Sequence, residues 1–243
     1  MQLIFVGNPK GGTGKSFFTA SLVNHFADRD GRAMLIEADT TNPDTSRQFK
    51  DDAIVKVEKI NLRDRSEWIK LSSEIEKYAQ QENKKGSIVV NLPAGIDAVF
   101  NREIDTLAFN MRDLGIPLAM AWVADRGVDT VNLLKLAMPK LISNSVGLFF
   151  VKNTHWGDSA KFKIWADTKV VRPDFLKAGG REFEMPELDD TIALATWNAE
   201  TPKRFSLAAV DLEYGQRMYL QAYIREAAKL FDSMFPPASK AAK

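Results

Sequence analysis

Cysteine is absent from the sequence, and this absence removes every kind of site that depends on a thiolate. Disulfide frameworks and Cys-ligated zinc or iron–sulfur centres are therefore excluded. Only two histidines occur among the 243 residues, so a metal centre built from His is not expected either. The lack of disulfide chemistry suits a reducing compartment, and we expect a cytoplasmic protein.

Long apolar runs and a large net charge are also missing. No apolar run approaches the roughly 18 residues of a membrane-spanning helix, so a membrane is not expected as a partner. The first residues, MQLIFVG, contain a short apolar run with no basic residue before it, which predicts a buried strand rather than a signal peptide. The net charge of +1 at pH 7 provides no bulk attraction to a polyanion.

What the sequence does contain is a regular alternation of apolar runs with helical patterns. The apolar runs are continuous, which is typical of parallel strands covered on both faces. The predicted strands lie at 3–6, 33–38, 54–60, 87–92, 117–123, 146–151 and 181–188. The predicted helices lie at 15–27, 66–81, 102–114, 128–142, 189–198 and 208–235. We therefore predict an α/β fold, a doubly wound, mostly parallel sheet with helices on both faces, in one domain over 1–235 with a disordered tail over 236–243.

The stretch NPKGGTGKSF, residues 8–17, lies between the first predicted strand and the first predicted helix. Its glycines allow backbone N–H groups to turn toward phosphate oxygens at a helix N-terminus. Lys15 would reach the β- and γ-phosphates of a nucleotide, and the Ser16 hydroxyl would hold Mg²⁺. Pro9 stands where the common pattern G-x-x-x-x-G-K-[ST] begins with Gly, whereas K-G-G-x-G-K-[ST] fits from Lys10 onward. The predicted ATP contacts of this loop are Gly11, Gly12, Thr13, Gly14, Lys15, Ser16 and Phe17.

KGGTGKS resembles the deviant Walker A motif of the ParA/MinD family of P-loop ATPases. Two later stretches are similar to that family's switch segments: LIEADTTNPD at 35–44 and VVNLPAGID at 89–97. The resemblance covers most of the chain in order and spacing. It implies a P-loop NTPase fold with ATP and Mg²⁺ as cofactors.

In the ParA/MinD family, the first Lys of the motif reaches the phosphates of the ATP bound by the other subunit of a dimer. The resemblance therefore implies that Lys10 acts in trans, within a homodimer that forms on ATP. A second cation there would offset charge on the transferred phosphoryl group. By the same carry-over, Asp39 orients the attacking water and Glu37 lies near Mg²⁺. The implied catalytic residues are Lys10, Lys15 and Asp39, and the implied metal ligands are Ser16 and Asp39.

Asn91 is the main departure from the family, which has Asp at this position of the second switch. A neutral amide can hold a water but brings no charge to oppose Mg²⁺. We expect either weaker metal binding or compensation by Glu37 and Asp39, and hence slow or absent ATP hydrolysis. Pro93 and Gly95 belong to the same switch, and Gly95 gives it freedom to move when the γ-phosphate leaves.

Two later positions resemble base-binding residues of the family. Asn153 follows the strand predicted at 146–151, where relatives place an Asn that pairs with the adenine edge, and the Asn amide is suited to that pairing. A turn residue at the strand end is the alternative interpretation of Asn153. Pro186 resembles a Pro whose backbone lies beside the base.

The resemblance implies an ATP-hydrolysing switch that positions or partitions a cargo, together with an adaptor or cargo protein. The setting would be plasmid or DNA segregation, or conjugal transfer as in TraL-like members. Basic residues interleaved with Phe162 and Trp165 leave non-specific DNA open as a partner, with a solvated amphipathic helix as the alternative. Two other functions are kept: a non-hydrolysing ATP-binding module read by a partner protein, and a dethiobiotin-synthetase-like ligase, which would not need Lys10.

Overall fold

The computed structural model describes residues 1–83 and 85–237, and within them seven strands form one sheet. The strands are β1 (Leu3–Gly7), β2 (Ala33–Glu37), β3 (Val55–Lys59), β4 (Ile88–Asn91), β5 (Leu118–Ala124), β6 (Gly147–Asn153) and β7 (Arg181–Met185). The helices are α1 (Lys15–Asp30), α2 (Asp44–Gln48), α3 (Glu67–Gln81), α4 (Asp97–Leu114), α5 (Val128–Ser143), α6 (Lys163–Asp167), α7 (Val171–Lys177), α8 (Asp190–Ala195), α9 (Phe205–Asp211) and α10 (Tyr214–Met234).

All pairings in the sheet are parallel, in the order β3-β2-β4-β1-β5-β6-β7. The chain therefore builds outward from β1 in one direction and then in the other, which confirms the predicted doubly wound α/β fold. β1 lies between β4 and β5, at the point where the strand order reverses. In sheets of this kind the carboxyl edge at the reversal is where ligands bind.

The core consists of two apolar layers, one on each face of the sheet. β1 shows why its apolar run is continuous: Leu3 and Phe5 pack with α3, α4 and α5, while Ile4 and Val6 pack with α1 and α10. All four side chains are fully buried. A strand covered on both faces has no position for a polar side chain, so period-two alternation disappears.

Most predicted helices are present, with shifted ends. The apolar face predicted for α3, formed by Trp68, Leu71, Ile75 and Tyr78, is buried as expected. α1 extends to Asp30 and ends at Gly31 in the left-handed conformation (φ 70°), where Gly fits without strain. α4 begins at Asp97, earlier than predicted.

The single helix predicted over 208–235 is wrong, because the chain forms α9 and α10 there. Leu212 and Glu213 have extended backbone (ψ 150° and 157°), and this break lets Phe205 of α9 pack against Phe17 and Tyr223. The short helices α2, α6 and α7 were also not predicted, since five to seven residues show too little periodicity.

α10 packs its apolar face into the core layer that contains α1, as expected for a helix that covers the sheet. No helix in the described ranges combines the length and the apolar character needed to cross a membrane. Residues 238–243 of the tail predicted to be disordered lie outside the described residues.

Candidate nucleotide-binding site

The loop between β1 and α1 forms an open cradle at the carboxyl edge of the sheet. Gly12 and Gly14 adopt left-handed backbone conformations (φ 73° and 95°), which side chains other than Gly rarely tolerate. A Cβ placed on Gly11 or Gly12 would have nothing within 4 Å, so the concave side of the loop faces open space. The backbone N–H groups around such a cradle are suited to an anion.

Two polar groups of the cradle lack full compensation within the protein. Lys15 is 8% exposed, and burial lowers the pKa of its ammonium to about 8, although Asp39 opposes that shift. Its Nζ donates to the carbonyl oxygen of Lys10 at 2.7 Å. Among the described residues, the buried hydroxyl of Thr13 has no hydrogen-bond partner. A polyphosphate on the loop would supply an acceptor to the Lys15 ammonium, so the residues present fit a nucleotide.

Asn91 joins the cradle to the ends of two strands. It lies opposite Glu37 in the parallel register of β2 and β4. Its Nδ2 lies 2.8 Å from Glu37 Oε1 and 3.3 Å from Ser16 Oγ, with Thr45 Oγ1 also at 3.2 Å. Its Oδ1 accepts a hydrogen bond from the Thr19 hydroxyl at 3.3 Å. The amide is therefore fully engaged, with the Glu37 carboxylate as its nearest acceptor.

Glu37 is the acid of this cluster, and its side chain is completely buried. Burial raises the pKa of its carboxyl to about 7, against hydrogen bonds from the Asn91 amide and from the backbone N–H groups of Ser46 and Asp39. Glu37 therefore faces Asn91 across the strand pair, and the charge missing at position 91 is not replaced by a second acid there. A carboxylate beside a Ser hydroxyl is a donor set that fits Mg²⁺ next to nucleotide phosphates.

Asp39 follows β2 on a partly buried loop. Its carboxylate accepts the backbone N–H of Asn42 at 3.3 Å, and its charge acts on Lys15. This placement puts Asp39 at the same edge as the cradle, beside the ammonium that would contact phosphate.

The second switch contacts the cradle directly through the backbone. The N–H of Gly95 donates to the Pro9 carbonyl at 2.9 Å, and Gly95 is left-handed (φ 66°). Pro93 is buried, and Arg63 donates to the Ala94 carbonyl at 2.6 Å. This hydrogen bond therefore couples the position of the second switch to the position of the cradle.

Lys10 points away from the cradle and toward the loop after β5. Its Nζ lies 2.7 Å from Asp125 Oδ2 and 3.8 Å from Asp129 Oδ2. The Asp125 hydrogen bond holds the Lys10 pKa above its ordinary value. Sequence reasoning missed Asp125; the available signal was an acid directly after a buried strand.

Asn153 reaches the cradle from the end of β6. Its Nδ2 donates to the Thr13 carbonyl at 3.0 Å, and its Oδ1 accepts the backbone N–H of His155 at 3.2 Å. A Cβ on Gly14 would lie 2.2 Å from the Asn153 Nδ2. Asn153 therefore stabilises the conformation of the loop through the Thr13 carbonyl. This contact is separate from any contact with a base. Pro186 follows β7 and lines a cleft with Thr154.

Of three aromatic side chains named from the sequence, Phe162 and Trp165 are buried and Phe17 is half-buried. Phe17 packs against Trp197, Phe205 and Tyr223, so its backbone rather than its ring faces the cradle. Trp165 is buried and stacks on Phe150 at 3.8 Å between ring centroids, and Phe162 is buried as well. The rings beside the basic residues are thus not placed to stack on nucleic-acid bases.

Comparison with known proteins identifies the family of the chain. Residues 4–149 match the family described as the CobQ/CobB/MinD/ParA nucleotide binding domain. The match covers more than half of the chain, so the protein belongs to this nucleotide-binding family. The ParA/MinD resemblance carried by KGGTGKS is confirmed.

Individual relatives were found over nearly the whole length. The chain is 28% identical over 234 residues to Protein MobD of Acidithiobacillus ferrooxidans, covering 96% of this chain and 97% of the relative. MinD in the MinC:MinD cell division protein complex of Aquifex aeolicus has a similar fold, with a TM-score of 0.56, 12% identity, and coverage of 100% and 99%. A nucleotide-binding protein of Archaeoglobus fulgidus in complex with ADP gives a TM-score of 0.48 at 15% identity, covering 98% of this chain and 93% of that one.

Proposed function

We propose that the protein is an ATP-dependent switch that dimerises on ATP·Mg²⁺ and is reset by slow hydrolysis. The observation that carries the proposal is that the two lysines of KGGTGKS lie in different environments. Lys15 is buried beneath the cradle, where it would contact the phosphates of its own nucleotide. The Lys10 ammonium lies instead in an ion pair with Asp125 after β5 and is partly exposed, so it is the lysine that a second subunit could reach.

The residues of the site have distinct tasks in this mechanism. The cradle glycines and the N-terminus of α1 would bind the phosphates through backbone N–H groups. Ser16 and Asp39 would hold Mg²⁺, with Glu37 buried close by, and the ion would supply charge neutralisation at the β- and γ-phosphates. Asp39 would orient the attacking water. Lys10 of the opposite subunit would stabilise charge on the transferred phosphoryl group.

The output would be a change of partner rather than a chemical product. The second switch contacts the cradle through the hydrogen bond between Gly95 and Pro9. Loss of the γ-phosphate would therefore shift this segment, which a partner protein would detect at the surface. The role would lie in conjugal transfer or DNA segregation, as the ParA/MinD resemblance implies, and the relative Protein MobD is similar to this chain over 96% of its length. The MinD neighbour was solved in complex with MinC, which supports an adaptor or cargo protein as partner. We place the protein in the cytoplasm.

Steady-state ATP hydrolysis by the native protein tests the catalytic part. Lys15→Ala serves as the blank, because it removes the ammonium beneath the cradle. Turnover above the blank is expected, at a low rate. Equal rates in both proteins would contradict hydrolysis.

A non-hydrolysing ATP-binding module is the second candidate, and Asn91 is the observation that favours it. Its amide replaces a charged ligand beside Ser16. This candidate predicts dimerisation on ATP without turnover, whereas the hydrolysing switch predicts both. Measuring the oligomeric state in ATP and the rate of ATP hydrolysis therefore separates the two candidates.

A further inference from the structure

The Lys10 ammonium is held within its own subunit by the loop that follows β5. Its Nζ forms a 2.7 Å ion pair with Asp125, whose side chain is 15% exposed, against 29% for Lys10. Asp129 is more distant, at 3.8 Å, and its side chain is 66% exposed. Asp125 is therefore the main partner, because a short and poorly hydrated pair is the stronger one.

Asp125 is fixed in place by its own hydrogen bonds. Its Oδ1 accepts the Thr130 hydroxyl at 2.7 Å and the backbone N–H of Gly127 at 3.0 Å. Asn8 donates to Thr130 Oγ1 at 3.2 Å and accepts the backbone N–H of Lys10 at 3.0 Å. These bonds connect the cradle to α5 through Asn8 and Thr130. The Asp125 carboxylate is therefore oriented by groups other than the Lys10 ammonium.

The loop is also shaped around the ammonium. A Cβ on Gly127 would lie 2.7 Å from Lys10 Nζ and 3.2 Å from Asp125 Oδ1. The backbone of Gly127 is in the extended region (φ −79°, ψ 155°), which alanine adopts without strain. Space for Lys10, rather than backbone freedom, is thus what glycine provides at this position.

We propose that Asp125 is a positioning residue that retains Lys10 in its own subunit, and that dimerisation requires the partner's triphosphate to displace Asp125. This inference rests on the proposed function. The competition would make dimerisation depend on the charge of the bound nucleotide, because one carboxylate must be outweighed by the phosphates across the interface. In a symmetric dimer two such ion pairs are exchanged.

The test is the dimer dissociation constant of the full chain in ATP·Mg²⁺, measured by sedimentation velocity. Asp125→Asn keeps an oxygen for Thr130 and Gly127 but loses the charge. The dissociation constant should fall by about tenfold for each ion pair removed, about a hundredfold for the dimer. Asp129→Asn, which removes the same charge from the first turn of α5, should change it by less than about threefold.

Two further variants separate positioning of Lys10 from a general effect on the fold. Gly127→Ala should displace the ammonium while leaving Asp125 charged, and it should also tighten the dimer. Asp125→Glu should stay within about threefold of the native protein, because it preserves the charge.

The outcomes distinguish this inference from the function on which it rests. If the native protein does not dimerise in ATP, the proposed function fails. If the native protein dimerises but Asp125→Asn leaves the constant unchanged or weakens the dimer, the role of Asp125 is overturned and the function stands. An equal effect of Asp125→Asn and Asp129→Asn on the dissociation constant would also overturn it.

Discussion

The amide of Asn91 donates to the buried carboxylate of Glu37 at 2.8 Å, across the parallel pair β2 and β4. Both strands bring this pair beside Ser16. Asn91, the departure from the family, is therefore a neutral donor to a carboxyl whose pKa is raised by burial. An Asp at position 91 would instead place a second carboxyl against Glu37.

Asn91→Asp should destabilise the nucleotide-free protein, because it places a second carboxylate against the buried one. We expect a loss of about 2 kcal/mol in the free energy of unfolding at pH 8 without Mg²⁺. Urea denaturation monitored by circular dichroism measures it. The double variant Glu37→Gln/Asn91→Asp reverses the pair and should recover most of the loss. An additive double variant would show that the two side chains do not interact.

The contribution of Glu37 to the stability of the nucleotide-free protein should fall as pH rises through the range 4.5 to 7. Burial raises the pKa of Glu37 to about 7 from an ordinary 4.5, so the folded state keeps a proton that the unfolded state releases. Two and a half pKa units correspond to about 3 kcal/mol. Glu37→Gln removes this titration, so the native protein should lose stability relative to that variant across the window. Parallel pH profiles for the two proteins would contradict the prediction.

Lys15→Met should raise the stability of the nucleotide-free protein while abolishing its response to nucleotide. Burial lowers the pKa of Lys15 to about 8, so at pH 7 the charged form is held in an unfavourable environment. We expect a gain of about 2 kcal/mol in the free energy of unfolding. Thermal unfolding with and without ATP·Mg²⁺ measures both effects. A loss of stability in the variant would mean that the bond to the Lys10 carbonyl outweighs the burial.

Gly14→Ala and Gly11→Ala form a matched pair within the cradle. A Cβ on Gly14 collides with Asn153 and occupies a left-handed conformation, whereas a Cβ on Gly11 meets nothing within 4 Å. Gly14→Ala should therefore lower the free energy of unfolding by about 2 kcal/mol, and Gly11→Ala by less than about 1 kcal/mol. Chemical denaturation of both nucleotide-free variants provides the comparison. Equal losses would show that the brace from Asn153 does not constrain the loop.

The sheet and the cradle could be predicted from sequence because their signals are local. Continuous apolar runs mark buried parallel strands, and KGGTGKS is compact enough to be recognised alone. The partnership of Asn91 with Glu37 and that of Lys10 with Asp125 could not be predicted, since each depends on which strands are neighbours. The break between α9 and α10 could not be predicted for a related reason. It accompanies the packing of Phe205 against Phe17, which is distant in sequence and leaves no sign in the local apolar pattern.

The most direct test of the account is the mass of the native protein in solution with ATP·Mg²⁺, with ADP·Mg²⁺ and without nucleotide. Sedimentation velocity on the full chain measures it, with Lys15→Ala as the control that lacks the phosphate contact. The account predicts a dimer in ATP only, and a monomer for the control in all three conditions. A native mass that does not change with nucleotide would contradict the ATP-dependent switch.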